Sequence, residues 1–147
     1  MNEKKKHLHQ GMTSRSFLDA DYVMTVIGLK PGNVFLDAGC GDGHMSFAAA
    51  RVVGRDGRVY AVDSYEESLE AVRGEIMSWK VGNVEPLLAD ITEALPVPDA
   101  SVDVLFLSNV LHGLVENEEI VQAFGEIVRV LKRGGTLAVV DYKKEDT

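Results

Sequence analysis

The sequence has a single cysteine, Cys40, in 147 residues. It therefore forms no internal disulfide and no cluster of metal-bound thiolates, and no metal site is expected. No apolar run approaches the roughly 20 residues of a membrane-spanning helix. Lys4, Lys5 and Lys6 are not followed by the apolar stretch that a secretory leader carries. Positive charge is scarce: 15 Lys and Arg face 23 Asp and Glu, a formal net charge of −8. Nucleic-acid binders usually present a basic face to phosphates, so this balance argues against DNA or RNA and moves the expectation toward a small or cationic ligand. Repeats and internal linkers are also missing. What is left is a cytoplasmic, single-domain chain long enough to bury a core.

Glycine is plentiful, and its placement is the first positive signal. In Val34-Phe35-Leu36-Asp37-Ala38-Gly39-Cys40-Gly41-Asp42-Gly43-His44-Met45 an apolar run ends in an acid, three glycines follow in five positions, and an Ala-rich helical pattern begins. That order reads as a buried parallel strand, a tight turn and a helix N-terminus, where open α/β folds bind nucleotide-like ligands.

Along the chain, residues 1–12 read as a flexible tail and 13–147 as the domain. His7 and His9 among lysines leave a metal- or anion-binding tail as the alternative. A first helix is predicted over 16–29, with Phe17, Leu18, Tyr22, Val23, Val26 and Ile27 at helical spacing and Gly28 and Pro31 at its stop. Such a helix packs on a sheet or covers a ligand. Strands are predicted over 33–38, 58–63, 84–89, 102–108 and 136–141. A helix over 43–53 follows the first strand. Ser64 and Glu67 form a capping box for the next, which carries Tyr65, Leu69, Val72 and Ile76 on one face and ends near a packing residue, Trp79. The last helix is predicted over 116–131, with acids in its first turn, Ile120, Phe124, Ile127, Val128 and Leu131 inward, and Gly134-Gly135 stopping it. The alternation is that of an α/β, doubly wound parallel sheet.

The glycines at 39, 41 and 43 let the backbone turn sharply and approach a ligand without interference from Cβ atoms. The dinucleotide fingerprint needs Gly-x-Gly-x-x-Gly, and counted from Gly39 its last position is His44, so a nicotinamide-dinucleotide reading fails there. Asp63 closes the second strand about 20 residues beyond the loop, where a carboxylate can accept both ribose hydroxyls; a helix cap is the alternative, but Ser64 already fills that role. Asp90 closes the third strand. It reads equally as a solvated loop acid or as the acceptor of an adenine amino group, with the Ile91 N–H meeting a ring nitrogen. Three acids around one glycine turn suit an adenosine ligand of little negative charge, since phosphates would be repelled.

These motifs together resemble those of the class I S-adenosylmethionine-dependent methyltransferases, over nearly the whole chain from about Phe17. Val34 to Gly43 is similar to the family's acidic-x-Gly-x-Gly-x-Gly turn, Val59-Tyr60-Ala61-Val62-Asp63 to its second motif, and Asp90-Ile91 to its adenine position. Ser101-Val102-Asp103-Val104-Leu105 with Asn109-Val110-Leu111-His112 resembles the fourth-strand motif. Val130-Leu131-Lys132-Arg133-Gly134-Gly135-Thr136-Leu137 resembles the helix-Gly-Gly-strand segment. The subgroup most similar is the small-molecule enzymes of the ubiquinone/menaquinone-biosynthesis type. The resemblance implies a Rossmann-like sheet of strand order 3-2-1-4-5 and S-adenosylmethionine as methyl donor, leaving as S-adenosylhomocysteine. It implies that Gly39, Gly41 and Gly43 shape the methionine pocket and that Asp37 orients the ligand's ammonium. Asp63 would hold the ribose, Asp90 and Ile91 the adenine, and Asn109 would lie near the methionine moiety. Cys40 and Ser64 fall within the two ligand-facing turns and are counted with them.

Methyl transfer is an in-line displacement at an activated methyl, so the protein mainly aligns reactants and excludes water. A base is needed only if the acceptor must lose a proton, and His112, just past the fourth strand, is the candidate; a packing histidine is the alternative. His44 reads as solvated or packed rather than as a pocket residue, and Cys40 as a small buried residue rather than a nucleophile. Asn109-Val110-Leu111-His112 differs from the Asn/Asp-Pro-Pro-aromatic motif of enzymes that methylate exocyclic amino groups, which again lowers a nucleic-acid substrate. The chain also stops at Thr147, before the helix and antiparallel hairpin with which the family continues. The expectation is a C-terminally truncated domain, or a fifth-strand edge covered by a partner such as a second copy. The competing function is a non-catalytic donor-binding or interaction module with the same fold.

Overall fold

The computed structural model describes residues 19–141. The tail read over 1–12, and Ser16, Phe17 and Leu18 of the first predicted helix, lie outside the described residues. Ten elements follow in chain order: α1 (Ala20–Ile27), β1 (Val34–Ala38), α2 (His44–Val53), β2 (Arg58–Asp63), α3 (Glu66–Trp79), β3 (Val84–Leu88), β4 (Val102–Ser108), α4 (Leu111–Glu116), α5 (Ile120–Val130) and β5 (Leu131–Val140). The strands form one sheet in the order β3-β2-β1-β4-β5, every neighbouring pair parallel. Parallel neighbours need long crossovers, and the helices supply them on both faces. The described residues contain no antiparallel strand. None of their helices is long and apolar enough to cross a membrane.

The central strands are apolar on both sides because both faces are covered. Phe35, Val59, Ala61, Val104 and Phe106 pack with Met24 of α1, Ala48 and Ala49 of α2, and Leu69 and Val72 of α3. Phe35 and Phe106 stack at 6.0 Å between ring centres. On the other face Leu36, Val62, Leu105 and Leu107 pack with Leu114 of α4 and Ala123, Ile127 and Val130 of α5. The three alanines at 48–50 let α2 lie close against the sheet. Pro86 sits in β3, an edge strand, where a missing N–H costs no ladder bond on the open side.

Four local expectations are corrected. Helix α1 buries Ala20 and Met24 and leaves Tyr22 and Val26 exposed, so its inward face is rotated from the predicted one. Asp19 caps it by accepting from the Tyr22 N–H at 3.2 Å. The helix predicted over 116–131 is two helices broken at residues 117–119, with Glu116 ending the first and no acid in the first turn of α5. Helix α5 buries Ala123, Ile127 and Val130, while Val128 is 70% exposed and Phe124 also faces out. Gly134 and Gly135 do not stop that helix. It ends at Val130, β5 begins at once, and the glycines lie in an irregularity where the pairing moves from Val102–Leu131 to Val104–Thr136. Gly134 is left-handed there, and a Cβ on Gly135 would stand 2.9 Å from the Lys132 carbonyl oxygen. A helix stop and a strand irregularity demand the same backbone freedom, so the Gly-Gly pair looks alike in sequence in both. Trp79, expected to pack, is 74% exposed at the end of α3.

Beyond these, Asp103 accepts from the Val34 N–H at 2.7 Å and pairs with Lys132, tying the amino ends of β1 and β5 to β4. The sheet's opposite, carboxyl edge is left to the loops after β1, β2, β3 and β4. Chain order reverses between β1 and β4, the switch point at which open α/β sheets take ligands.

Candidate functional site

A cleft of about 520 Å³ opens at that switch point. This is the size range of small-ligand sites, about 300–1,000 Å³. Asp37, Gly39, Cys40, Gly41, Asp63, Ser64, Asp90, Ile91, Asn109 and His112 line it. Gly43 does not. A Cβ there would stand 2.8 Å from the Phe47 ring and 3.1 Å from Val72, so its hydrogen lets α2 and α3 close together beneath the loop.

Gly39 and Cys40 both donate backbone N–H bonds to the Val62 carbonyl, at 2.8 and 2.9 Å, pinning the turn to β2. Gly39 has φ +78°, and a Cβ on it would lie 2.6 Å from Val110 Cγ2, so the loop after β4 rests directly on the glycine turn. Gly41 N donates to Asp63 Oδ2 at 2.9 Å, and Tyr65 N donates to Asp63 Oδ1, also at 2.9 Å. The Ser64–Glu67 capping box does not form. Helix α3 starts at Glu66, and its cap residue, Tyr65, makes no side-chain capping bond. Asp63 thus does the turn-closing work expected of Ser64. Each carboxylate oxygen keeps a second lone pair for a ligand hydroxyl.

Asp37 is 1% exposed and accepts from Ser46 Oγ at 2.7 Å. Burial raises its pKa to about 7. Asp63 and Asp42 push in the same direction, against the Ser46 bond. A cation beside it would relieve this repulsion. The Cys40 thiol is also driven up by burial and by Asp37 and Asp63. It is buried, with Sγ 3.6 Å from the Gly41 carbonyl oxygen, and stays a protonated thiol. His44 lines the cleft despite the expectation of a solvated or packing role; its backbone N donates to Asp42 Oδ1 at 3.1 Å.

Asp90 Oδ1 accepts from both the N–H and the hydroxyl of Thr92, at 2.9 and 2.7 Å, closing a small turn that presents buried Ile91 to the cleft. Asn109 takes a left-handed φ of 59°, which asparagine tolerates better than most residues. Its N–H donates to the Val140 carbonyl at 2.8 Å. His112 stands in the first turn of α4, with Nδ1 2.8 Å from Asp141 Oδ1, while its backbone N donates to Asp141 Oδ2 at 3.0 Å.

Sequence reasoning missed Tyr65, Thr92, Glu119 and Asp141. Tyr65 shares one face with Leu69, Val72 and Ile76 by spacing, yet it precedes α3, is exposed and lines the cleft. Asp141 follows β5 as Asp63 ends β2 and Asp90 follows β3, so the strand-then-acid pattern was there to be extended. Among the described residues, no group of three or more His, Cys, Asp or Glu is placed to hold a metal ion.

The chain is similar to proteins of known class. Residues 29–147 match the family described as "Methyltransferase domain". The ubiquinone/menaquinone biosynthesis C-methyltransferase UbiE of Hydrogenovibrio crunogenus is 34% identical over 124 residues, 84% of this chain and 47% of that protein. The UbiE of Escherichia fergusonii is 36% identical over 118 residues, 80% of this chain and 45% of that one. The chain thus spans about half the length of the curated relatives it matches. A SAM-dependent methyltransferase from Aquifex aeolicus superposes with a TM-score of 0.84 and 32% identity, covering 97% of this chain and 74% of that one.

Proposed function

The chain belongs to the class I S-adenosylmethionine-dependent methyltransferases, and from that premise we propose that it transfers a methyl group from S-adenosylmethionine to a small-molecule acceptor. The observation that carries the reading is the convergence of Asp37, Asp63 and Asp90 with the glycine turn on one cleft. No lysine or arginine is among the described residues lining it. Such a lining favours a ligand that bears positive charge and a ribose and disfavours phosphates.

The residues present fit that donor. Asp37 lies beneath the glycine turn, where it would face the donor's ammonium. Asp63 would accept the ribose hydroxyls with the lone pairs that Gly41 and Tyr65 leave unused. Asp90 and the Ile91 N–H would meet the adenine, and exposed Tyr65 would cover it. Bound S-adenosylmethionine supplies an electrophilic methyl on a sulfonium and leaves as a neutral thioether, S-adenosylhomocysteine. The loop 109–112 closes the methionine end, and there the acceptor would enter and His112 would take its proton. The relatives' name points to carbon as the methylated atom and to a precursor of ubiquinone or menaquinone as the chemical type of acceptor.

The test is calorimetry with S-adenosylmethionine and with NAD, then transfer of a labelled methyl group into a metabolite extract. Binding of the first ligand alone, with label appearing in a small molecule, is the expected result. NAD binding without S-adenosylmethionine binding overturns the reading. Donor binding with no labelled product, from this chain or a C-terminally extended version, makes it a binding module instead.

A further inference from the structure

The contacts between β5 and the loop after β4 give the end of β5 a task. Two successive residues grip that loop: Val140 through its carbonyl, on Asn109 N at 2.8 Å, and Asp141 through its carboxylate, on His112. The second grip has two points. Asp141 Oδ2 accepts from the backbone N of His112 at 3.0 Å, and Oδ1 stands 2.8 Å from the ring Nδ1 of the same residue. The Asp141 side chain is 16% exposed and the His112 side chain 54%, so the carboxylate sits behind the ring and the ring faces the cleft.

An ionised carboxylate can only accept hydrogen bonds, so the ring nitrogen facing it must carry the hydrogen. In a neutral imidazole the other nitrogen, Nε2, then has the lone pair. We propose that Asp141 is a positioning residue that holds His112 as the Nδ1–H tautomer, so that Nε2 is the base for an acceptor that must give up a proton, an aromatic hydroxyl or an activated C–H. This rests on the methyl-transfer reading and narrows its substrate class. In the step, the acceptor atom bonds the methyl carbon and the S–CH3 bond breaks, its electron pair returning to sulfur. The acceptor's proton passes to Nε2, and the resulting imidazolium is neutralised by Asp141. The other acids lining the cleft include Asp37, Asp63 and Asp90, which are already engaged by Ser46, by Gly41 N and Tyr65 N, and by Thr92.

The two-point grip makes the test sharp. In Asp141→Asn the amide oxygen must take the place facing the His112 backbone N–H, because that site needs an acceptor. This turns the NH2 toward Nδ1. The ring nitrogen there must then accept, and the tautomer reverses to Nε2–H. Nitrogen-15 spectra of the histidine-labelled 147-residue chain, at about pH 9 where imidazoles are neutral, read the tautomer without any acceptor; His112→Gln assigns the signal. Expected are Nδ1–H in the wild type and Nε2–H in Asp141→Asn, with S-adenosylmethionine affinity within about twofold. Labelled-methyl transfer by Asp141→Asn should fall by about 100-fold or more, the range of lost base catalysis. A wild-type ring in the Nε2–H form overturns the proposal and requires no variant to fold. So does a tautomer unmoved by the substitution, or a reversed tautomer with transfer unchanged. Absence of donor binding or of any methyl transfer in the wild type refutes the methyl-transfer reading instead, and the tautomer spectra separate the two failures.

Discussion

Replacing Asp37 by asparagine should remove a large pH-dependent cost from the folded state. The wild-type carboxyl is fully buried. Burial first, then the charges of Asp63 and Asp42, lift its pKa from an ordinary 3.8 to about 7. Below the unfolded value both states are protonated and nothing is lost. Between about 4 and 7 the unfolded chain releases its proton while the folded one keeps it, so stability falls as pH rises, and above about 7 the loss is complete. At about 1.4 kcal/mol per pH unit this amounts to about 4 kcal/mol, a large part of the 5–15 kcal/mol typical of a domain. The amide of Asp37→Asn keeps an acceptor for Ser46 Oγ and stays neutral at every pH. The variant should match the wild type near pH 4 and exceed it by up to about 4 kcal/mol at pH 8, as read from urea unfolding followed by circular dichroism. Glu126, whose pKa is lowered mainly by its bond from Arg129, contributes the opposite slope to both proteins and cancels in the difference. Parallel pH profiles for the two proteins would refute the reasoning. The same substitution should weaken S-adenosylmethionine binding at pH 8. Near pH 6 it should abolish the proton release, seen by calorimetry in buffers of different ionisation enthalpy, that a cation placed beside Asp37 would cause.

Other outcomes follow from the same geometry. Gly39→Ala places a Cβ 2.6 Å from Val110 Cγ2 on a left-handed backbone. It should cost about 1–2 kcal/mol for the backbone and about 1–3 kcal/mol for the clash; adding Val110→Ala should recover only the second part, and recovery of the whole would contradict the backbone share. Asp63→Ala loses the acceptors of Gly41 N and Tyr65 N as well as any ribose contact. At about 1.5–3 kcal/mol for a charged hydrogen bond, donor affinity should fall by about tenfold or more, and a dissociation constant within twofold of wild type would exclude Asp63 from the donor site. Arg129 bonds Glu126, Asp99 and the carbonyls of Leu95 and Val97, and none of these residues lines the cleft. Arg129→Met should lower stability by about 2–3 kcal/mol with donor affinity unchanged, and a loss of affinity would show that this strut reaches the cleft.

Much of this was legible in the chain itself. Periodicity and punctuation set β2 and β4 to the residue, because a strand buried on both faces needs an unbroken apolar run and Arg58–Asp63 and Val102–Ser108 have clear ends. The glycine turn and the acids at Asp37, Asp63 and Asp90 set the charge and openness of the cleft lining, since charge sign and the absence of a Cβ are properties of residue type. Helix faces and caps were less legible. Phe124 and Val128 look inward by spacing but face out, because the rotation of α5 is chosen by Ala123, Ile127 and Val130 against the sheet. Ser64 looks like a cap, but Asp63 reaches Tyr65 N first. The sequence by itself determined the five strands, their order along the chain and the polarity of the site, which depend on local pattern and composition. Only the tertiary structure decided that Asp141, 29 residues from His112, would hold that ring, because β5 lies beside β4 and the end of one strand meets the loop of the other.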